Sequence, residues 1–388
     1  MSRQLPLLSS QFIATHNSFN ATVYPGVSSS LDPNQTLSLT DQLALGMQGV
    51  ELDVHWFWHA ASLRMAPLVC HGLGANQGHF GCTPQDRLLK DALLEIRDFL
   101  DRSEARHTVL LLDIENVLAD FQPPNMAVPS QAGHDEVAAL FESILGDRIY
   151  KPQSGGCQSL PLERLSKQAV ADAGKQVLIV GGCGLGDRWP QWVFNLDRKQ
   201  RGHVGFVANT CDADFFAADD YLQRFTRQWE DSTQLGRVVS PDLRPIQAEQ
   251  VRAMTQCGLN QVSLDKLAVA DDRLPAFIWS WAEGQPVLAT TPRCIFQNAV
   301  GRWQSGSCTT RRAFACTRDE RWFVTATAEP WAFGSDACAA VDAQFSLPRT
   351  ARDNQDLQQV KTSAAVSEVW LHWQDVSGQG DFPMPPGD

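Results

Sequence analysis

Short apolar runs alternate along this chain with longer amphipathic or polar stretches, a pattern that predicts strands separated by helices. Strand-like runs fall at 11–15, 49–55, 68–70, 109–115, 177–180, 204–208, 261–264 and 276–281. Helical patterns occupy 38–45, 84–103, 134–145, 218–231 and 245–257. In the second of these, Leu88, Leu89, Ala92, Leu93, Ile96 and Leu100 recur with the helical period, so one face is apolar. Strands that alternate with helices predict an α/β fold, here a (β/α)8 TIM-type barrel with some irregular connections. Those connections are a polar loop over 17–37, a proline-rich stretch over 122–130 and a glycine-rich turn over 181–188. The glycine-rich turn matches neither a dinucleotide fingerprint nor a P-loop.

After residue 281 the pattern changes, and 282–292 reads as a linker. The remainder is rich in cysteine and tryptophan and poor in helical periodicity. The expected organisation is a barrel over 1–284 that carries the chemistry, then a small disulfide-stapled, mainly β module over 285–388.

A length of 388 residues suits one large core and a lesser one. The net charge of −12 argues against nucleic acid as a partner and against a broad basic patch on an anionic membrane. No run approaches the roughly 18 apolar residues of a transmembrane helix. If a lipid is the substrate, contact with its membrane is peripheral and transient, and twelve tryptophans are available for it. The ten cysteines form no Cys-x-x-Cys pair, which argues for disulfides and export rather than a zinc ribbon or redox site. Local pairs are expected: Cys70 with Cys82, and Cys294 or Cys308 with a partner beyond residue 300. The start Met1-Ser2-Arg3-Gln4 lacks the apolar core of a signal peptide, so the favoured reading is a mature secreted or periplasmic form with an added Met. No heptad or other self-association pattern is present, and a monomer is expected.

Four stretches place polar groups at the ends of apolar runs. They are Thr15-His16-Asn17-Ser18, Gly49-Val50-Glu51-Leu52-Asp53-Val54, Val69-Cys70-His71-Gly72 and Leu112-Asp113-Ile114-Glu115-Asn116. Period-two geometry puts Glu51 and Asp53 on one face of their strand, and Asp113 with Glu115 on one face of theirs. In a barrel of this type the chemistry sits at the C-terminal ends of the strands, where these groups fall. An amide and carboxylates can hold a hard cation, while histidines move protons and stabilise charge.

In this order the four motifs resemble those of the calcium-dependent phosphatidylinositol-specific phospholipases C, over roughly the first three-quarters of the chain. The resemblance implies His16 at the phosphate, Asn17, Glu51, Asp53 and Glu115 as ligands of Ca2+, and His71 as the acid for the diacylglycerol leaving group. It further implies attack of the inositol 2-hydroxyl on phosphorus, with Glu51 or Glu115 as base. Metal-independent bacterial members carry an arginine where Asp53 stands here, and an acid in that place calls for a metal. Members that prefer phosphorylated phosphoinositides carry Lys-x-Lys on the fifth strand. The run Val177-Leu178-Ile179-Val180-Gly181-Gly182 has no cation, which favours unphosphorylated phosphatidylinositol.

Asp265, Trp279 and Trp281 end the last two expected strands and are candidates for the inositol pocket. The run His55-Trp56-Phe57-Trp58-His59 is either a lipid-facing ridge or packing beneath a loop. Gly301-Arg302-Trp303, Ala313-Phe314-Ala315-Cys316 and Val369-Trp370-Leu371-His372-Trp373 resemble parts of a C-type-lectin-like domain in permuted order, without its sugar-binding calcium signature. The alternatives to a phospholipase C are a glycerophosphodiester phosphodiesterase or sphingomyelinase D-like enzyme, which open with His-Arg rather than His-Asn, and a non-catalytic lipid- or glycan-binding barrel.

Overall fold

The computed structural model describes residues 3–71, 81–122, 126–153, 156–195, 199–202, 224–239, 244–287, 289 and 291–375. They fall in two compact units, one of Arg3–Val251 with Leu259–Arg273, the other of Arg252–Gly258 with Leu274–Asp388.

The first unit contains strands β1 (Phe12–Thr15), β2 (Gly49–His59), β3 (Arg64–Val69), β4 (Leu110–Val117), β5 (Ala119–Gln122), β6 (Met126–Pro129), β7 (Val177–Gly181), β8 (Lys199–Gly202), β9 (Phe225–Trp229) and β10 (Gln261–Leu264). Seven of them form one curled parallel sheet in the order β7-β4-β2-β1-β10-β9-β8, and β3 folds back antiparallel on β2. β5 and β6 form a separate hairpin just beyond the C-terminal end of β4. Helices α1 (Val27–Leu31), α2 (Leu39–Ala44), α3 (Leu89–Leu100), α4 (Gln131–Leu145), α5 (Lys167–Asp172), α6 (Gln234–Val239) and α7 (Ala248–Gln256) accompany these strands along the chain. Ser38, Ser130 and Ser166 start α2, α4 and α5, each accepting a hydrogen bond from a backbone N–H three residues on.

The sheet is two-faced because its strands alternate. Val50, Leu52, Val54, Leu110, Leu112, Ile114, Val177 and Ile179 point outward into one apolar core with the stripes of α3 and α4. Phe12, Leu111, Leu178 and Phe225 point inward and plug the N-terminal end of the curl, and Val180 extends this apolar cluster to the level of Asp113. The next inward positions toward the C-terminal end are charged: Glu51, Asp53, Asp113, Glu115 and Arg227. Gly49 is required at the crossing of β1 and β2, where a Cβ would lie 2.5 Å from that of Ala14.

Lys167 is buried at the plugged end, where its Nζ donates to the Gln11 carbonyl and Gln48 Oε1 at 2.6 Å each. Burial pushes its pKa down to about 7 from 10.5. The unfolded chain therefore binds more protons between those values, and stability rises with pH across that window. Replacing Lys167 with methionine is expected to flatten the rise, by up to about 1.4 kcal/mol per pH unit. Urea unfolding of both proteins across the window measures it, and parallel pH dependences would contradict the assignment.

In the second unit, β11 (Arg293–Gln297), β12 (Trp303–Ser307), β13 (Ala313–Arg318), β14 (Arg321–Val324), β15 (Gln344–Phe345) and β16 (Val369–Asp375) form a mixed sheet. It is accompanied by α8 (Arg273–Ala276), which begins with the last residue of the first unit, and by α9 (Gly334–Ala339) and α10 (Ala351–Ser363). Thr350 and Asp353 form a reciprocal capping box at the start of α10. Disulfides join Cys70–Cys82 and Cys157–Cys183 in the first unit, and Cys294–Cys308 and Cys316–Cys338 in the second. The Cys70–Cys82 pair and the Cys294 pairing agree with the sequence expectation. Among the described residues no helix is long and apolar enough to cross a membrane.

Three expected elements differ, and a fourth is outside the described residues. The run 68–70 belongs to the antiparallel return strand β3, because β2 continues past the site as a long hairpin arm. Within 218–231 the described part holds strand β9, not helix: Leu222, Phe225 and Trp229 mimic helical spacing, but the register with β10 prevails. The run 276–281 is no barrel strand. Helix α8 ends at Ala276, and Trp279 and Trp281 then enter the core of the second unit. The run 204–208 lies outside the described residues.

Candidate active site

Strand register assembles the site. Pairing of Glu51 with Asp113 and of Asp53 with Glu115 sets four carboxylates in two adjacent rows on the inner face. Arg227, projecting from β9, reaches into them. Its Nη2 lies 2.5 Å from Glu51 Oε2, and its Nη1 lies 2.9 Å from Asp113 Oδ2 and 3.7 Å from Glu115 Oε1. Glu51 Oε2 also accepts from the Asn17 backbone N–H at 3.0 Å. Burial opposes ionisation of Glu51, but Arg227 and His16 outweigh it and hold the carboxyl well below the usual range.

Asp53 is different. Burial, then the charges of Glu115 and Glu51, push its pKa well up. Its Oδ1 is buried with no hydrogen-bond partner. Oxygens of Glu51, Asp53 and Glu115 all lie within 4.8 Å of one another. Three converging carboxylates with one orphaned oxygen form a donor set that suits a hard cation such as calcium, which takes oxygen ligands.

The imidazoles flank this cluster. Register of Thr15 with Leu264 brings the next residues, His16 and Asp265, side by side. His16 Nδ1 lies 3.1 Å from Asp265 Oδ1, which also accepts from Asn34 Nδ2 at 3.1 Å. The other Asp265 oxygen accepts from the Ser232 N–H at 2.7 Å. Burial lowers the His16 pKa, yet Asp265 and Glu51 more than reverse this, so the ring holds its proton above the usual value. His71, at the end of β3, moves the other way: burial and the charge of His16 lower it. The two imidazoles are thus driven toward opposite charge states.

Of the expected site residues, His16 and Asn17 directly follow β1 and His71 follows β3, Glu115 lies near the end of β4, and Glu51 and Asp53 lie early in the long β2, before its hairpin arm. Asp265, expected in a substrate pocket, is instead fully buried behind His16. Trp279 and Trp281 belong to the core of the second unit. They pack edge-on against Trp303, with centroids 5.3 and 5.8 Å away, in the second unit. The aromatic run divides: Trp56 is buried in the outer core, whereas Trp58 is 45% exposed.

Sequence reasoning missed Arg227, and with it Glu230 and Arg273. Arg273 Nη1 lies 2.8 Å from Glu230 Oε2, and its Nη2 donates to the Asp265 carbonyl, bracing the strand end behind His16. The alternation Phe225-Thr226-Arg227-Gln228-Trp229 is the signal that points to a strand with an inward arginine.

The family described as the Rv2075c PI-PLC-like domain matches residues 1–271. Among curated proteins, the chain is similar to Rv2075c of Mycobacterium tuberculosis strain H37Rv and to MT2135 of strain CDC 1551. Each is 32% identical over 95% of this chain and 76% of the relative. Among solved structures it is similar to the phosphatidylinositol-specific phospholipase C of Listeria monocytogenes, with 13% identity, 71% of this chain, 93% of that chain and a TM-score of 0.45. It is also similar to the calcium-dependent phosphoinositol-specific phospholipase C of a Pseudomonas species, with 14% identity, 70% of this chain, 92% of that chain and a TM-score of 0.34. The sequence matches alone carry the assignment: the chain belongs to the family of the Rv2075c PI-PLC-like domain.

Proposed function

We propose that the chain is a calcium-dependent phospholipase C that cleaves phosphatidylinositol to diacylglycerol and an inositol phosphate. The observation that carries this reading is the convergence of Glu51, Asp53 and Glu115, with the orphaned Asp53 oxygen, beside the imidazole of His16 held by Asp265. Glu51, Asp53 and Glu115, with Asn17, would hold a calcium ion, which when bound would supply charge stabilisation at the phosphate and lower the pKa of the inositol 2-hydroxyl.

The chain's own groups do the rest. Asp265 fixes the His16 ring through Nδ1, which leaves Nε2 to donate to a non-bridging phosphate oxygen. Glu51 is engaged by Arg227 and the Asn17 N–H, so the base role falls to Glu115, whose side chain is 38% exposed. In the first step the 2-hydroxyl oxygen bonds to phosphorus and its proton passes to Glu115. The bond from phosphorus to the glycerol oxygen breaks, and the protonated form of His71, the minor form of a ring whose pKa burial and His16 lower, gives its proton to that oxygen. Water opens the cyclic phosphate with the proton roles reversed. Arg227 keeps the carboxylate cluster charged and ordered before the cation arrives.

The test is product identity on a panel of phosphatidylinositol, phosphatidylcholine, sphingomyelin and glycerophosphoinositol. Diacylglycerol with inositol phosphate, from phosphatidylinositol alone, is the expected result. Phosphatidic acid, ceramide phosphate or glycerol phosphate as the product would overturn it. The disulfides support an exported enzyme, and the division into barrel and C-terminal module is part of the same proposal.

Membrane contact is proposed at two hairpins beyond the site. Trp58 (45% exposed) and Leu63 (74%) lie on the β2–β3 hairpin, and Phe121 (47%) lies on the β5–β6 hairpin. Each large apolar side chain buried in lipid contributes about 1.5–3 kcal/mol. Trp58→Ala is therefore expected to lower turnover on phosphatidylinositol vesicles about tenfold while leaving a soluble short-chain substrate unaffected. Equal losses on both substrates would place Trp58 in the fold instead.

A further inference from the structure

The second unit carries a groove that the barrel chemistry does not use. Its volume is about 750 Å³, in the range of small-molecule sites. One wall is β14, where Trp322 and Val324 project on the same face. The other is α10, whose Asp356, Gln359, Val360 and Ser363 follow one another at helical spacing along one stripe. The tight β13–β14 turn, with Asp319 and Glu320 in the left-handed region, sets Glu320 at the rim beside Arg321.

The lining carries little net charge. It holds Glu320, Arg321 and Asp356, and Asp356 Oδ1 is already paired with Arg352 Nε at 3.1 Å. A neutral ligand is favoured over a strongly cationic or anionic one. The surface offered is an indole flanked by aliphatic carbons, with carboxylate, amide and hydroxyl groups spaced around it. That combination fits a ring with one C–H face and a girdle of hydroxyls. The C–H face lies on the indole, and the hydroxyls exchange hydrogen bonds with Asp356, Gln359 and Ser363.

We propose that the groove between β14 and α10 binds a neutral carbohydrate, with Trp322 as the stacking platform and Asp356, Gln359 and Ser363 as hydroxyl partners. The proposal is independent of the barrel's activity. It gives the second unit a role as a sugar-binding module.

The test uses the full chain and neutral hexasaccharides of glucose, mannose and N-acetylglucosamine, with choline chloride as the cationic rival. Saturation-transfer NMR detects contact, and tryptophan fluorescence gives the affinity. At least one hexasaccharide is expected to bind with a Kd of about 1 mM or tighter. Ser363 and Gln359 are exposed, so both can be changed without disturbing the core. Ser363→Arg, which fills the groove, is expected to weaken binding at least about tenfold. Gln359→Ala is expected to weaken it by a smaller factor, and both variants should melt at the wild-type temperature. Absence of binding by all three sugars, binding unchanged in Ser363→Arg, or binding of choline in their place would each overturn the proposal.

Discussion

His16→Ala is expected to lower kcat by about 10²–10⁴, the range for losing a positioned imidazole, with little loss of folded protein. The separation of the two effects follows from the partners of Asp265. That carboxylate loses one donor but keeps the Asn34 amide and the Ser232 N–H, so it is not left orphaned. The expected cost in stability is therefore about 1–2 kcal/mol. Asp265→Asn tests the positioning arm of the argument. It retains the volume and removes the charge that raises the His16 pKa. Its expected signature is a fall in kcat of about ten- to a hundredfold with KM nearly unchanged, and a His16-dependent limb of the pH profile displaced to lower pH. Activity profiles are read from initial rates on micellar phosphatidylinositol, and a fall in stability that matches the fall in rate would reduce Asp265 to a structural residue.

Arg227→Met is expected to destabilise the barrel by about 3–5 kcal/mol, the usual consequence of removing one partner from a buried ionic group. Arg227 and the Glu51 and Asp113 side chains it bridges are almost wholly inaccessible to solvent, so water cannot take over its role. A fall in melting temperature of about 6 °C or more follows for a domain of this size. Calcium enters the same balance. A cation bound to the carboxylates of the folded chain compensates part of the missing charge, so millimolar calcium is expected to raise the melting temperature of Arg227→Met more than that of the wild type. Differential scanning calorimetry in calcium and in EDTA measures both effects. Equal calcium shifts in the two proteins would show that Arg227 and the cation act on separate carboxylates.

Much of the barrel site was legible because strand alternation is a strong constraint. Once Glu51 and Asp53 lie on a strand, their side chains must share a face, and Glu115 joins them wherever β4 pairs in parallel with β2. The histidines follow from the same logic, since a polar residue that ends an apolar run sits at the C-terminal rim. Arg227 was not legible because Leu222, Phe225 and Trp229 imitate a helical stripe, and only pairing with β10 decides between the two periods. Trp279 and Trp281 misled for a related reason. An apolar run looks like a barrel strand whichever core receives it, and here that core contains Trp303 and Trp373. Asp265 was found but given the wrong place, because sequence distance does not reveal that its neighbour across the sheet is His16.

The most direct measurement is phosphorus NMR of phosphatidylinositol vesicles incubated with the protein, first in calcium and then in excess EDTA. The expected result is a cyclic inositol phosphate resonance, followed by inositol 1-phosphate, that grows in calcium and stops on chelation. Growth at an unchanged rate in EDTA would contradict the role given to Glu51, Asp53 and Glu115. A product other than an inositol phosphate would contradict the phospholipase C reading itself.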